Sequence, residues 1–324
     1  MTKKKEILTI SENLNSLFLN EKVHKKRNDE LLTIERALTI VIRQLIVSGY
    51  RERTLNDYKC YVNHYCEITG IKHLDNITNE SIYKWLESMN VSSQTRLTRL
   101  KCFKAFLSHC YNNGWYESMF WKSIKIRVDN NLKEGATERD VNLLLSVLDL
   151  GNFVQIRDAT AALLMFKTGI RINTLVQLKN THVDLDANLL RLDGSIMKNH
   201  KELLLPFDEV LHRLLSVLMK QNDLIRREYK QNNNFVFITV RGKITVSSPT
   251  NNSIQKQLKK YSTTYGIKNI NPHGLRRGFA KSLLNKGANI AVISKALGHS
   301  NLAVTTQYLH LDKEEVEKSL RRFL

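Results

Sequence analysis

A mainly α-helical protein with one small antiparallel β-sheet, organised as two domains, is the architecture this sequence predicts. Three observations lead there. Apolar residues recur at three- and four-residue spacing along much of the 324-residue chain. The strong strand candidates are confined to three short runs in the second half. A polar stretch near position 130 separates two apolar-periodic regions in a chain where Pro and Gly are scarce, and a chain of this length ordinarily forms two domains.

The chain opens with a polar leader, residues 1–29. Met1 to Ile10 carries Lys3, Lys4 and Lys5 without a sustained apolar stretch or a small-residue cleavage site, so no secretory signal is expected. The first domain, 30–126, reads as wholly helical. Leu31, Ile34, Leu38, Ile42 and Leu45 recur at helical spacing and Gly49 ends that segment. Thr54 with Asp57 resembles a capping box opening a second helix through Tyr58, Val62 and Tyr65, which stops near Gly70. Thr78 opens a third, bearing Ile82, Trp85, Leu86 and Met89. A fourth begins near Ser93, placing Leu97, Leu100, Phe103 and Leu107 on one face and Arg96, Arg99, Lys101 and Lys104 on another. A basic face is ordinarily just a solvated one.

Residues 127–136 form the expected linker, rich in polar residues such as Asn130 and Asn131. The second domain, 137–324, starts where Thr137 and Asp140 open a helix with Val141, Leu144, Leu145 and Leu148. Strands are expected at Asn188 to Asp193, Glu202 to Phe207 and Phe235 to Thr239, giving a small antiparallel sheet among helices. The last residues place Val316, Leu320 and Phe323 or Leu324 on a short apolar stripe. So short a helix is marginal alone and needs a groove to dock into.

Lys and Arg number 50 against 31 for Asp and Glu, a formal net charge of +19 and a pI near 9.7. That excess suits a polyanionic partner, above all nucleic acid. A membrane role is disfavoured because no run approaches the ~18 consecutive apolar residues of a spanning helix. The protein is therefore expected in the cytoplasm or on the nucleoid. Cys60, Cys66, Cys102 and Cys110 form no Cys-x-x-Cys pair, so zinc is not expected, and their aromatic and aliphatic neighbours suggest reduced core thiols.

The most informative stretch lies near the end: His273-Gly274-Leu275-Arg276, then Leu297-Gly298-His299, then Thr305-Thr306-Gln307-Tyr308-Leu309-His310. Upstream stand Thr168-Gly169-Ile170-Arg171 and, in what reads as a hairpin, Lys198. Singly, each has a plain structural explanation: Arg171 a solvated turn residue, His273 at an ordinary helix start, His299 in a loop, Tyr308 a packing residue. Their order, spacing and flanking residues agree over roughly half the chain, which single short motifs do not. A tyrosine phenol attacks phosphorus only where cations and hydrogen-bond donors stabilise the charge that develops, and this set supplies them.

Together these six residues resemble the active-site signature of the tyrosine recombinase (phage integrase) family. The helical first domain is similar, without a sharp motif, to that family's core-binding domain. The resemblance implies a C-shaped clamp around double-stranded DNA. It makes Tyr308 the nucleophile, forming a 3′-phosphotyrosyl link that needs neither metal nor nucleotide cofactor. Arg171 and Arg276 would clamp the non-bridging oxygens of the scissile phosphate, since a planar guanidinium pairs bidentately with phosphate and keeps its charge. Lys198, with Lys201 as a competing candidate, would be the general acid for the departing 5′ oxygen. His273 and His299 would donate hydrogen bonds or exchange a proton. Arg96, Arg99, Lys101, Lys104, Lys201 and Arg277 are candidate DNA contacts, and the terminal helix would dock on its own domain or on a neighbouring protomer of a homo-oligomer.

Three positions depart from the family pattern. Thr174 stands where an acidic residue is common, Met197-Lys198-Asn199-His200 is bulkier than the usual glycine-rich lysine turn, and Arg277 replaces a frequent histidine. Two functions stay open: a site-specific recombinase of a phage or other mobile element, and a DNA-binding transcription regulator, such as a phage repressor, that has lost recombination. A topoisomerase sharing the same chemistry is a third.

Overall fold

A computed structural model describes residues 32–128, 133–197, 201–245 and 252–299, together with Leu302, Thr305 and Thr306. The chain divides into two compact units, Met1–Asn130 and Asn131–Leu324. The described residues are mostly helical, with one three-stranded antiparallel sheet.

In the first unit, α1 (Ile34–Val47) is capped by the Thr33 hydroxyl, which accepts from the Arg36 amide, and it buries Ile34, Leu38, Val41, Ile42 and Leu45. Leu31, expected to start this stripe, lies outside the described residues. α2 (Glu52–Thr69) starts two residues earlier than Thr54, with no side-chain cap at Arg51. Thr54 and Asp57 therefore form no capping box, because both already lie within the helix. α3 (Asn79–Glu87) has the expected Thr78 cap, which Ser81 returns: the Ser81 amide donates to the Thr78 hydroxyl at 3.1 Å and the Thr78 amide to the Ser81 hydroxyl at 2.9 Å. α4 (Ser93–Asn112) is capped by Ser92.

These helices meet in an aromatic core, where Phe103 lies 4.4 Å from Tyr65 and 5.1 Å from Trp85, centroid to centroid. The polar edges of these rings are satisfied. Trp85 Nε1 donates to His64 at 2.8 Å, and the Tyr65 and Ser81 hydroxyls pair at 2.6 Å. Cys110 is fully buried, Cys66 and Cys102 are half-buried, and all four cysteines are free thiols. Cys60 departs from the expected core placement, standing exposed on the outer side of α2.

The second unit begins with α5 (Glu138–Val147) behind a complete Thr137–Asp140 capping box. At its centre is α6 (Phe153–Thr168), buried on nearly every side and packed by α5 and by three later helices, α8 (Glu209–Glu228), α9 (Ser253–Thr264) and α10 (Pro272–Asn285). Two of its charged residues, Arg157 and Asp158, pair within the core. Arg157 donates to Asp158 at 2.8 and 3.0 Å and to the Ile238 carbonyl at 3.1 Å, while the Tyr261 hydroxyl donates to the other Asp158 oxygen at 3.2 Å. A buried charge needs such a set of partners.

The sheet has the order β1-β2-β3, with β1 (Val183–Asp184), β2 (Leu189–Leu192) and β3 (Leu203–Pro206). Leu190 pairs with Leu205 and Leu192 with Leu203, so the two longer strands fall inside the expected runs. The third expected strand, Phe235 to Thr239, is not one. It makes only isolated bridges, Lys179 to Phe235 and Ile238 to Ile244. The segment is apolar because Val236, Phe237 and Ile238 are all fully buried. Side chains take its carbonyls in place of a ladder: Asn222 donates to Val236 at 2.7 Å, Thr245 to Phe237 at 2.8 Å, and Arg226 and Arg157 serve Phe235 and Ile238.

The polar stretch before Thr137 docks onto α10. The Ala136 amide donates to the Gly274 carbonyl at 2.9 Å and Arg277 Nε to the Glu134 carbonyl at 2.9 Å. Gly278 lets these backbones approach, since a Cβ there would lie 2.2 Å from the Ala136 carbonyl oxygen and 2.8 Å from the Phe166 ring. No helix among the described residues is long and apolar enough to cross a membrane, and no group of three or more His, Cys, Asp or Glu among them could hold a metal ion.

Candidate active site

The site is assembled from three elements of the second unit. The first follows α6. Gly169 caps it in the left-handed region at φ +66°, where a Cβ would strike the Phe279 ring at 2.3 Å, so the Thr-Gly before Arg171 has a steric reason. Two residues later Arg171 sits at the amino end of the short helix α7 (Ile172–Leu175), half-buried, with Nη2 donating to the Gly298 carbonyl at 3.4 Å. The second element is α10, whose start is set by the Asn271 cap and Pro272. Arg276 lies one turn in and is only 3% exposed. Its guanidinium donates to the carbonyls of Gly169 and Leu297 and, at 3.1 Å, to His299 Nε2. The third is the turn after α11 (Ile290–Ala296), which carries Leu297, Gly298 and His299.

Arg171, Arg276 and His299 are thus brought together around the Leu297–Gly298 backbone. Ile170, Leu192, Met197, Leu205 and Leu297 line one small cavity with Arg171 and Arg276, an apolar bed for both side chains. Such a bed keeps the donors in place and lowers the local dielectric, which strengthens their pull on an anion. His299 Nδ1 stands 2.9 Å from the hydroxyl of Thr305, a residue with no exposed surface. Burial, then the charges of Arg276 and Arg171, pushes the His299 pKa down from 6.5 to about 4, so this imidazole is neutral at physiological pH.

His273 stands near the start of α10 and reaches an open cleft of about 730 Å³ lined by Lys133, Glu134, Asn269, Asn271 and Arg277. Its pKa is also lowered, first by desolvation and then by Arg277, Arg276, Lys133 and Arg171. After burial, the same cations that would attract a phosphate lower the pKa of both histidines.

Lys198 and Tyr308 lie outside the described residues, so the structure says nothing of their placement. Lys201 is exposed just before β3. Before the lysine turn, Met197 is buried to 3% exposure and belongs to the core, which accounts for its bulk. Thr174, at the position where an acid is common, donates to the Ile196 carbonyl at 3.2 Å and so ties α7 to the chain entering that turn. His182 and Asp193 escaped sequence reasoning. His182 accepts the Lys179 amide on Nδ1 at 3.0 Å, so its Nε2 proton is directed at Asp193, 2.9 Å away. Hydrogen bonds from Ser195 and then His182 hold the Asp193 carboxyl down at about 2. This pair anchors the exit from β2, and a lone histidine upstream of the strand offers no signal of it.

The candidate DNA-contacting residues of α4 divide. Lys101 is exposed, Arg99 lies over the Tyr61 ring at 5.8 Å, Arg96 donates to the Met89 carbonyl at 2.9 Å, and Lys104 donates to the Ile124 carbonyl at 2.8 Å. Arg96 and Lys104 therefore serve the fold of the first unit, whatever else they do.

Among known proteins, the model of the phage integrase family matches residues 136–315. A tyrosine recombinase of Thermosipho africanus is 27% identical over 279 residues, covering 83% of this chain and 92% of its own length. Tyrosine recombinase XerC of Bacillus licheniformis is 24% identical over 298 residues, covering 89% and 96%. Among solved structures, the Tn1549 transposon integrase in complex with circular intermediate DNA superposes with a TM-score of 0.70 at 18% identity, over 89% of this chain and 99% of that one. With more than half of its length matched by the family model, the chain belongs to the phage integrase family, the tyrosine recombinases.

Proposed function

We propose that this protein is a site-specific recombinase that cuts and rejoins double-stranded DNA through Tyr308. The observation that carries the reading is the convergence of Arg171, Arg276 and His299 on the Leu297–Gly298 backbone, three residues far apart in sequence whose shared feature is what a phosphate needs. The Tyr308 oxygen attacks phosphorus, a phosphotyrosyl bond forms, and the bond from phosphorus to the 5′ oxygen breaks. Arg171 and Arg276 stabilise the charge on the non-bridging oxygens. Lys198, or Lys201, protonates the departing 5′ oxygen. His273 and His299, both neutral near pH 7, can take or pass the phenolic proton. The 5′ hydroxyl of a partner strand then attacks the phosphotyrosine and restores the DNA. The bond energy is kept throughout, so the cycle consumes no nucleotide.

Lys101, Arg99, Lys201 and Arg277 contribute further contacts to the DNA backbone, and the residues after Tyr308 link protomers on a two-site substrate. Such a protein works in the cytoplasm, on the nucleoid. The regulator and topoisomerase readings are not favoured, because the relatives are named as recombinases.

A nicked suicide substrate carrying the cognate site tests this. The short fragment diffuses away after cleavage, so the wild-type protein should remain covalently attached through denaturing electrophoresis. Tyr308→Phe should lose the adduct and keep DNA affinity. Tight binding without any wild-type adduct would overturn the recombinase reading, and an adduct that persists in Tyr308→Phe would move the nucleophile elsewhere.

A further inference from the structure

Two of the contacts that His299 makes together leave one arrangement of its protons. Arg276 Nη2, 3.1 Å from Nε2, can only donate, so Nε2 presents its lone pair. The imidazole is neutral, so its single proton is on Nδ1, and that atom faces the Thr305 hydroxyl oxygen at 2.9 Å. We propose that Thr305 is a positioning residue that sets the tautomer of His299, so that Nε2 accepts from the Arg276 guanidinium and holds it in place for the phosphate. The inference rests on the recombinase reading above and assigns a role to a residue that touches no reacting atom.

The placement gives this contact a second consequence. Thr305 is buried and lies three residues before Tyr308 in sequence. A continuous set of hydrogen bonds therefore runs from the Gly169 carbonyl through Arg276 and His299 to Thr305. With the other tautomer, an Nε2 proton would face the Arg276 guanidinium, donor against donor, and one of the two groups would have to turn away. A residue that orients a catalytic imidazole through its far nitrogen acts on rate without changing what the site binds.

Thr305→Val removes the hydroxyl at nearly constant volume, and Thr305→Ser restores it without the methyl group. Heteronuclear NMR of isotopically labelled histidine reads the tautomer directly on the full chain. His299 should be protonated on Nδ1 in the wild type and in Thr305→Ser, and the Nε2-protonated form should appear in Thr305→Val. In single-turnover cleavage of the suicide substrate, Thr305→Val should be slower by about tenfold or more, with DNA affinity within about twofold of wild type, and Thr305→Ser should recover most of the rate. If His299 keeps its Nδ1 proton in Thr305→Val, or if that variant cleaves at the wild-type rate, the proposal is wrong. A fall in rate with the tautomer unchanged also overturns it, since packing alone would then explain the loss. Should the wild type fail to cleave at all, the recombinase reading falls while the NMR result still decides the role of Thr305.

Discussion

His299 shows how one contact set serves both chemistry and stability. The cations that would hold a phosphate make protonation of this imidazole unfavourable, so its pKa falls to about 4, with burial the larger cause. In the unfolded chain the ordinary value of 6.5 returns, and the unfolded state then binds the proton more readily. Acidification from 6.5 towards about 4 should therefore draw the equilibrium to the unfolded chain, and the contribution levels off once both states are protonated. His273, lowered for similar reasons, acts in the same direction. Urea denaturation should give a lower midpoint at about pH 5 than at about pH 7.5, and His299→Gln should narrow the difference. Equal pH dependence in the variant would show that His299 is not the group responsible. At this scale Arg171, Arg276 and His299, which the structure brings together, can be singled out in the sequence from the kind and order of their side chains. Thr305, Thr174 and the His182–Asp193 pair cannot, because they act through hydroxyl and imidazole contacts that depend on three-dimensional approach. A threonine in a helical segment looks the same whether or not it holds a histidine.

Helix α4 makes the corresponding point about elements. Its basic residues form a stripe in sequence, yet they have different employment in the fold. Lys104 bridges to the carbonyl of Ile124 at 2.8 Å, and desolvation followed by the charge of Lys125 lowers its pKa. Lys101, three residues earlier, is exposed. Lys104→Ala should therefore cost on the order of 1 kcal/mol of stability by leaving that carbonyl without its protein donor, whereas Lys101→Ala should leave the denaturation midpoint unchanged and weaken DNA binding. If both variants are equally stable, the Lys104 contact contributes nothing to the unit. Periodicity finds α1 and α3 because each has one buried side against polar neighbours. It is silent on α6, where Arg157, Asp158 and Thr160 are buried along with the apolar residues and no polar face remains to set the period. It misassigns Phe235 to Thr239 for a related reason. A fully buried extended run is apolar at every position, and nothing in composition tells a sheet ladder from a segment whose carbonyls are taken by Asn222, Arg226, Thr245 and Arg157.

For the whole molecule the dominant quantity is the net charge of +19. An excess of this size could serve only solubility, with the charges spread and solvated, or it could be used to neutralise phosphates. The two uses differ in their response to salt. Each neutralised phosphate releases condensed counterions, so the logarithm of the binding constant falls by about 0.9 for each contact per unit logarithm of salt concentration. A protein that grips six or more phosphates then loses on the order of a thousandfold in affinity between about 50 and 200 mM salt. Tyr308→Phe is the form in which to measure this, because it binds without a covalent step that would draw the equilibrium forward. Its affinity for duplex DNA should fall steeply over that range, and adding Lys101→Ala should reduce the slope by about one unit. A slope near zero would mean that the charge is not spent on DNA and would remove the electrostatic basis of the proposed function. A steep slope that Lys101→Ala leaves unchanged would instead place the contacts in the second unit, where Arg277 and Lys201 are the next residues to vary.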